Sequence, residues 1–201
     1  MLWGLATALL MLIHRMAPGE PIWALLEGEQ RHGITWHLID DGIDTGDIVA
    51  QAMFDIRDDD TAFALNARCY GAAIDSFPSV IDALQAGVPQ RRRQDPAGRS
   101  LHRRDDRPAG MGRIDFAQSA GAIARLVRAL DHGGYRNPLC APKFESAAGL
   151  FLIGAAEPAA GSGLPGTVLA IEGDALVVAC ADGAGRLSGL TCPYGLPVGA
   201  P

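Results

Sequence analysis

Two side chains in the first quarter of the chain, His37 and Asp44, have the types and spacing that proton-transfer chemistry uses. A carboxylate close to an imidazole can order a water or take the proton from an ammonium group. General acid–base help of this kind is worth roughly 10²–10⁴ in rate. Asp44 lies in the acidic bend Asp40-Asp41-Gly42-Ile43-Asp44-Thr45-Gly46, and His37 stands on the segment leading into it. Blander readings fit the same residues. A turn aspartate often bonds its own backbone, and a strand histidine is often a half-buried structural residue. Spacing alone leaves these alternatives open. Asp40, Asp41 and Asp47 read as solvated turn carboxylates.

The elements around the bend are those that fix where a side chain points. Residues 32–39 alternate, with Ile34, Trp36 and Leu38 on one face and Thr35, His37 and Ile39 on the other, which predicts a strand, and the bend is expected between two buried strands. Residues 47–56 read as its antiparallel partner. Gly42 and Gly46 suit a chain reversal with positive φ. Ahead of the pair, residues 20–30 read as a short helix with Pro21 near its start. Behind it, Asp60 or Thr61 can cap a helix whose stripe runs Leu65, Cys69, Ala73, Phe77, Val80 and Leu84. Pro78 is expected to kink or split that helix.

Residues 88–113 hold eight arginines and show no apolar period. They read as a linker, solvated or facing an anionic partner. Ser119 is placed to cap a further helix bearing Ile123, Leu126, Val127 and Leu130. Short β-type runs follow at 149–153, 166–171, 175–180 and 186–190, separated by Gly, Pro and Asp. That series predicts a small antiparallel barrel of the OB type. The domains are therefore expected at 1–88 and 114–201, joined by a linker at 89–113.

Residues 1–90 carry 4 basic and 13 acidic side chains, and residues 91–140 carry 11 basic and 5 acidic ones. An acidic chain with one arginine-rich segment is no general nucleic-acid binder. The four cysteines form no CxxC pair and no Cys/His cluster, so neither a metal site nor a disulfide framework is expected, and a reducing cytoplasm is. Residues 1–13 are apolar but too short for a bilayer span of about 20 residues. With no basic residue before them they read as a buried helix or an ill-started N-terminus, not a signal or membrane anchor. No GxGxxG or P-loop precedes a helix, and Ser76, Ser100 and Ser119 sit in no nucleophile elbow.

The run Pro21-Ile22-Trp23-Ala24-Leu25-Leu26-Glu27-Gly28-Glu29, followed by Gly33-Ile34-Thr35-Trp36-His37 and Gly42-Ile43-Asp44-Thr45-Gly46-Asp47-Ile48, resembles the formyltetrahydrofolate-dependent formyltransferases. Ile114-Asp115-Phe116 and Leu126-Val127-Arg128-Ala129-Leu130 resemble the start of that family's C-terminal region, and Pro165–Leu190 its OB-like domain. Tyr135-Arg136-Asn137-Pro138-Leu139 looks closest to relatives tied to peptide- or polyketide-synthase assembly lines. The resemblance implies an α/β catalytic domain whose upstream half is missing, followed by a small OB-like antiparallel β-barrel. It assigns the catalytic aspartate to Asp44, a strand histidine to His37, and contact with the co-substrate to Asp41, Gly42 and Ile43. The co-substrate it implies is 10-formyltetrahydrofolate, with no metal. The partner is an amine acceptor: aminoacyl-tRNA, a carrier-protein-bound aminoacyl group or an aminosugar. The family's remaining catalytic pair, an asparagine and a histidine in an N-x-H motif, does not occur in the sequence, nor does its Ser-Leu-Leu-Pro-type loop. Groups that act as a unit do not add singly. The resemblance therefore also implies a complementary N-terminal half, or a non-catalytic remnant or binding module.

Overall fold

The computed structural model describes residues 20–42, 44–87, 90–95, 97, 100, 102–103, 105–135 and 137–193. The apolar run 1–13 and Ile43 lie outside the described residues. No helix among the described residues is long and apolar enough to cross a membrane.

β1 (Arg31–His37) and β2 (Ile48–Asp55) form the expected antiparallel hairpin, running from Arg31 opposite Asp55 to His37 opposite Ile48. β2, expected to be buried like β1, is only half-buried and partly exposed. β1 is buried on both faces, every residue from His32 to His37. One cause is α2 (Ala62–Gln85), which lays Cys69, Ala73 and Val80 against Ile34 and Trp36. Polar groups on the buried strand are engaged. Thr35 Oγ1 accepts from Gln51 Nε2 at 2.9 Å, and Trp36 Nε1 donates to Ser76 Oγ at 2.9 Å.

Thr61, not Asp60, caps α2, its Oγ1 accepting from Ala64 N at 3.1 Å. Asp60 is buried and has other work: it accepts from Arg57 N at 2.9 Å and pairs with Arg68. Arg68 lies over the Phe54 ring and donates to the Asp55 carbonyl, tying the helix to the end of β2. Pro78 does not split α2. Its ring and Ile74, whose carbonyl loses its usual donor, are both exposed, so water can serve that carbonyl.

α1 (Glu20–Leu26) is shorter than expected and ends where Gly28 takes φ 72°. α3 (Ala120–Ala129) begins at Ser119, whose Oγ accepts from Ala122 N. This helix belongs to two cores. Ile123 and Val127 pack with Phe144, Ile153, Val178 and Leu187, while Ala129 and the capping Leu130 pack with Ile22, Leu25 and Leu65. Burying a side chain of valine or leucine size is worth about 1.5–3 kcal/mol, so α3 joins the α1–α2 half to the C-terminal half.

The C-terminal strands are β3 (Lys143–Ser146), β4 (Gly149–Leu152), β5 (Ala155–Ala159), β6 (Val168–Glu172), β7 (Ala175–Cys180) and β8 (Gly183–Ser188). β3 and β4 form one hairpin, and the other four form an antiparallel sheet in the order β5-β8-β7-β6. Among the described residues these strands do not close into one barrel; β5 and β6 remain edges. β3 and β5 were not expected from the sequence. β5 reads Ala-Ala-Glu-Pro-Ala, with no apolar period, and its edge position tolerates Pro158.

Burial pushes the Cys69 thiol up to about 11, with Arg68 only partly opposing. The charged form is disfavoured in the fold, so this contribution to stability is intact below the ordinary thiol value of 9.0 and is lost as pH climbs toward 11. At pH 9 about one per cent of such a thiol is ionised. Native-state alkylation at that pH is therefore expected to spare Cys69 while urea exposes it. Rapid labelling of Cys69 in the folded protein would contradict the packing described.

Candidate active site

β1 ends in a local irregularity. The pairing register shifts between Trp36 and His37, which faces Ile48 rather than Val49. A bulge of this kind re-aims the side chain beside it. His37 is buried, with 5 % of its side chain exposed, and its Nδ1 stands 2.8 Å from the Leu38 carbonyl. A carbonyl oxygen only accepts, so Nδ1 carries the hydrogen. The opposite ring atom, Nε2, lies 3.8 Å from Asp44 Oδ1. Asp44 keeps 27 % of its side chain exposed, so the pair is part sheltered and part open to solvent.

The bend that presents Asp44 is held by its own residues and by Gln94 of the arginine-rich segment. Asp40 Oδ1 accepts from Gly42 N at 3.1 Å and from Thr45 Oγ1 at 2.6 Å. The Thr45 hydroxyl, foremost, lowers the Asp40 carboxyl below its ordinary value. Asp40 is thus a structural turn residue, more than a solvated carboxylate. Leu38 N donates to Asp47 O at 3.0 Å and closes the neck. Gln94 Nε2 donates to both the Asp44 and Gly46 carbonyls, at 2.9 and 2.7 Å. Arg92 exchanges two main-chain hydrogen bonds with Ile48, at 2.8 and 2.9 Å, adding a strand-like residue beside β2.

The positive φ expected of Gly42 and Gly46 falls elsewhere. Neither glycine has it; Asp44 does, at φ 57°. The glycines are required by space. A methyl on Gly46 would overlap the Leu38 carbonyl, and one on Gly42 would overlap the Thr45 hydroxyl. Aspartate tolerates the left-handed region better than most residues, so Asp44 can take the strained position and still offer a carboxylate.

The structure brings His37 and Asp44 together. Asp41 and Gly42 are exposed on the outer part of the bend, and Ile43 lies outside the described residues. Gln94 and Arg92 sit in the arginine-rich segment, where no periodicity or motif marked them as supports of the bend. A cavity of about 680 Å³ lies away from this pair, lined by Trp23, Leu26, Ile114, Ile123 and Leu126 among others.

Comparison with known proteins gives the geometry its context. Residues 20–81 match the model of the formyl transferase family, and residues 108–198 match that of the formyl transferase C-terminal domain. The chain belongs to the formyl transferase family. The methionyl-tRNA formyltransferase of Ectopseudomonas mendocina (strain ymp) is 31 % identical over 188 residues, covering 93 % of this chain and 57 % of the relative. The chain thus spans little more than half the length of such relatives. An N-formyltransferase from Helicobacter canadensis, solved with folinic acid and dTDP-3-aminofucose, matches with a TM-score of 0.64 at 19 % identity, covering 86 % of this chain and 60 % of that one. HypX from Aquifex aeolicus, solved with tetrahydrofolic acid, matches with a TM-score of 0.60 at 20 % identity over 86 % of this chain and 29 % of that one. At those identities the two structures establish the shared fold.

Because backbone, not a flexible side chain, blocks position 46, Gly46→Ala is expected to destabilise the protein by about 2–3 kcal/mol. Urea unfolding reads this as a lower midpoint at unchanged slope; an unaltered midpoint would mean that the bend is not packed as described.

Proposed function

We propose that this chain supplies the aspartate–histidine part of a formyl-transfer centre, acting in transfer of a formyl group from 10-formyltetrahydrofolate to an amine. One observation carries the reading. Asp44 is held at positive φ with its carboxylate 3.8 Å from His37 Nε2, inside the segment matched by the formyl transferase model. Transfer needs a neutral amine, a stabilised tetrahedral oxyanion and a proton path to the departing folate nitrogen. Asp44 takes the ammonium proton, directly or through a water. The His37 Nδ1 hydrogen is committed to Leu38 O, which leaves Nε2 to exchange protons with Asp44. Contact with the co-substrate is assigned to Asp41 and Gly42, exposed on the bend, and, on the family resemblance, to Ile43. Donors aimed at the oxyanion, worth about 3–4 kcal/mol each, come from an N-x-H element outside these residues, and no metal takes part.

The acceptor is an aminoacyl-tRNA, a carrier-bound aminoacyl group or an aminosugar. The names of the relatives, one acting on methionyl-tRNA and one solved with an amino sugar nucleotide, support the amine class. The formal charge of −6 weighs against tRNA. We read residues 1–88 as the later part of the catalytic domain, 89–113 as its linker and 114–201 as an OB-like domain in a cytoplasmic protein. Two hydrogen bonds between Leu152 and Thr191, lacing β4 to the segment after β8, support the OB-like reading. A second reading is a binding module, or one half of a split enzyme completed by a polypeptide bearing N-x-H.

Tetrahydrofolate release from 10-formyltetrahydrofolate, measured over a panel of amines, separates the two. Release is expected once an upstream polypeptide bearing N-x-H is added. Asp44→Asn, whose amide keeps the left-handed backbone, should lower it by about 10²–10⁴. Release insensitive to that substitution contradicts the catalytic role, and no release under any condition favours the binding module.

A further inference from the structure

Along α2, Phe63, Ala67, Tyr70, Ile74, Phe77 and Ile81 recur in steps of four and three. That is the spacing of a helix–helix seam. It is separate from the stripe of Leu65, Cys69, Ala73 and Val80 that the helix buries within the chain. Phe77, expected in that buried stripe, is instead exposed, with its ring 5.3 Å from that of Trp36. Phe63 is 44 % exposed, Tyr70 51 %, Ile74 71 % and Phe77 43 %. Ala67 is exposed and Ile81 half-buried. Tyr135 stacks on Phe63 with ring centroids 5.9 Å apart and widens the patch. Single exposed apolar residues are ordinary. A stripe of large ones running about 27 Å along one helix, at 1.5 Å per residue, marks an interaction surface.

We infer that this face pairs with a second copy of the chain, α2 against α2, antiparallel about a two-fold axis passing level with residue 72. The order of the seam residues selects this occupant. In that register Phe63 meets Ile81 of the copy, Ala67 meets Phe77, and Tyr70 meets Ile74. Every seam position is used, and the smallest side chain faces one of the largest, as close packing requires. A parallel pair would set Ala67 on Ala67 and Phe77 on Phe77, leaving a hole in one layer and crowding another. Aromatic side chains offer about 150–250 Å² each. At the exposures above the seam and Tyr135 present roughly 500 Å² per copy, or about 1,000 Å² for the pair, the lower bound for a specific interface. The contact is isologous and therefore closes at two copies.

Sedimentation velocity of the whole chain over a micromolar concentration series tests this. The expected result is a concentration-dependent species of twice 21.1 kDa. Ile74→Glu and Tyr70→Lys, both at exposed positions, should each weaken association by on the order of a hundredfold with unchanged circular dichroism. The double variant Tyr70→Lys/Ile74→Glu sets lysine opposite glutamate twice in the antiparallel register and should restore the dimer. A monomeric wild type, a dimer undisturbed by Ile74→Glu, or a double variant that stays monomeric would each overturn the inference.

Discussion

The side-chain amide of Gln94 is the contact on which the site depends. It donates to the carbonyls on either side of Thr45, those of Asp44 and Gly46, and so fixes the bend from outside. The need arises from Asp44 itself. A non-glycine residue in the left-handed region costs of order 1–3 kcal/mol, toward the low end for aspartate. Net hydrogen-bond contributions of about 0.5–1.5 kcal/mol each are of the size required to hold it. With the bend held, Asp44 cannot swing away from His37, and the ring of His37 is in turn anchored on Leu38 O.

That arrangement rests on a stiff base. β1 is buried along six residues, Arg68 ties the far end of β2 to α2, and Arg92 pairs with the near end. Arg92 and Gln94 of the arginine-rich segment are therefore part of the bend's scaffold. Arg91, Arg92 and Arg93 are exposed, while the Arg92 backbone and the Gln94 amide reach back to the hairpin and its bend. The C-terminal half is coupled to the same base through α3, which contributes residues to both neighbouring cores. The residues matched by the formyl transferase model and those matched by its C-terminal domain model are thus coupled through one helix.

The elements that were legible in the sequence are those with a strong local signal. The hairpin, the Thr61 and Ser119 caps, the long apolar stripe of α2 and strand β7 follow from period and capping chemistry. What was illegible depended on long-range contacts. Nothing in Gln94 or its neighbours announces a partner 50 residues earlier. β3 and β5 are edge or short strands whose pairing, not composition, makes them strands. The bend shows the same division. Two glycines and three acids announced a turn, yet the glycines serve close approach and the strained backbone falls to the aspartate. Pro78 shows the converse: a helix breaker is tolerated where the orphaned carbonyl meets water. The pairing of His37 with Asp44 was suggested by resemblance and spacing, and became geometry only once the bulge had turned the end of β1.

A double-mutant cycle of stability at positions 44 and 94 tests the central claim, that Gln94 holds Asp44 in a strained conformation. In the wild-type background Gln94→Ala is expected to cost about 1–2 kcal/mol. In the Asp44→Gly background, where glycine takes positive φ freely, the same change should cost less by at least about 0.5 kcal/mol. Strict additivity of the two substitutions would contradict the account.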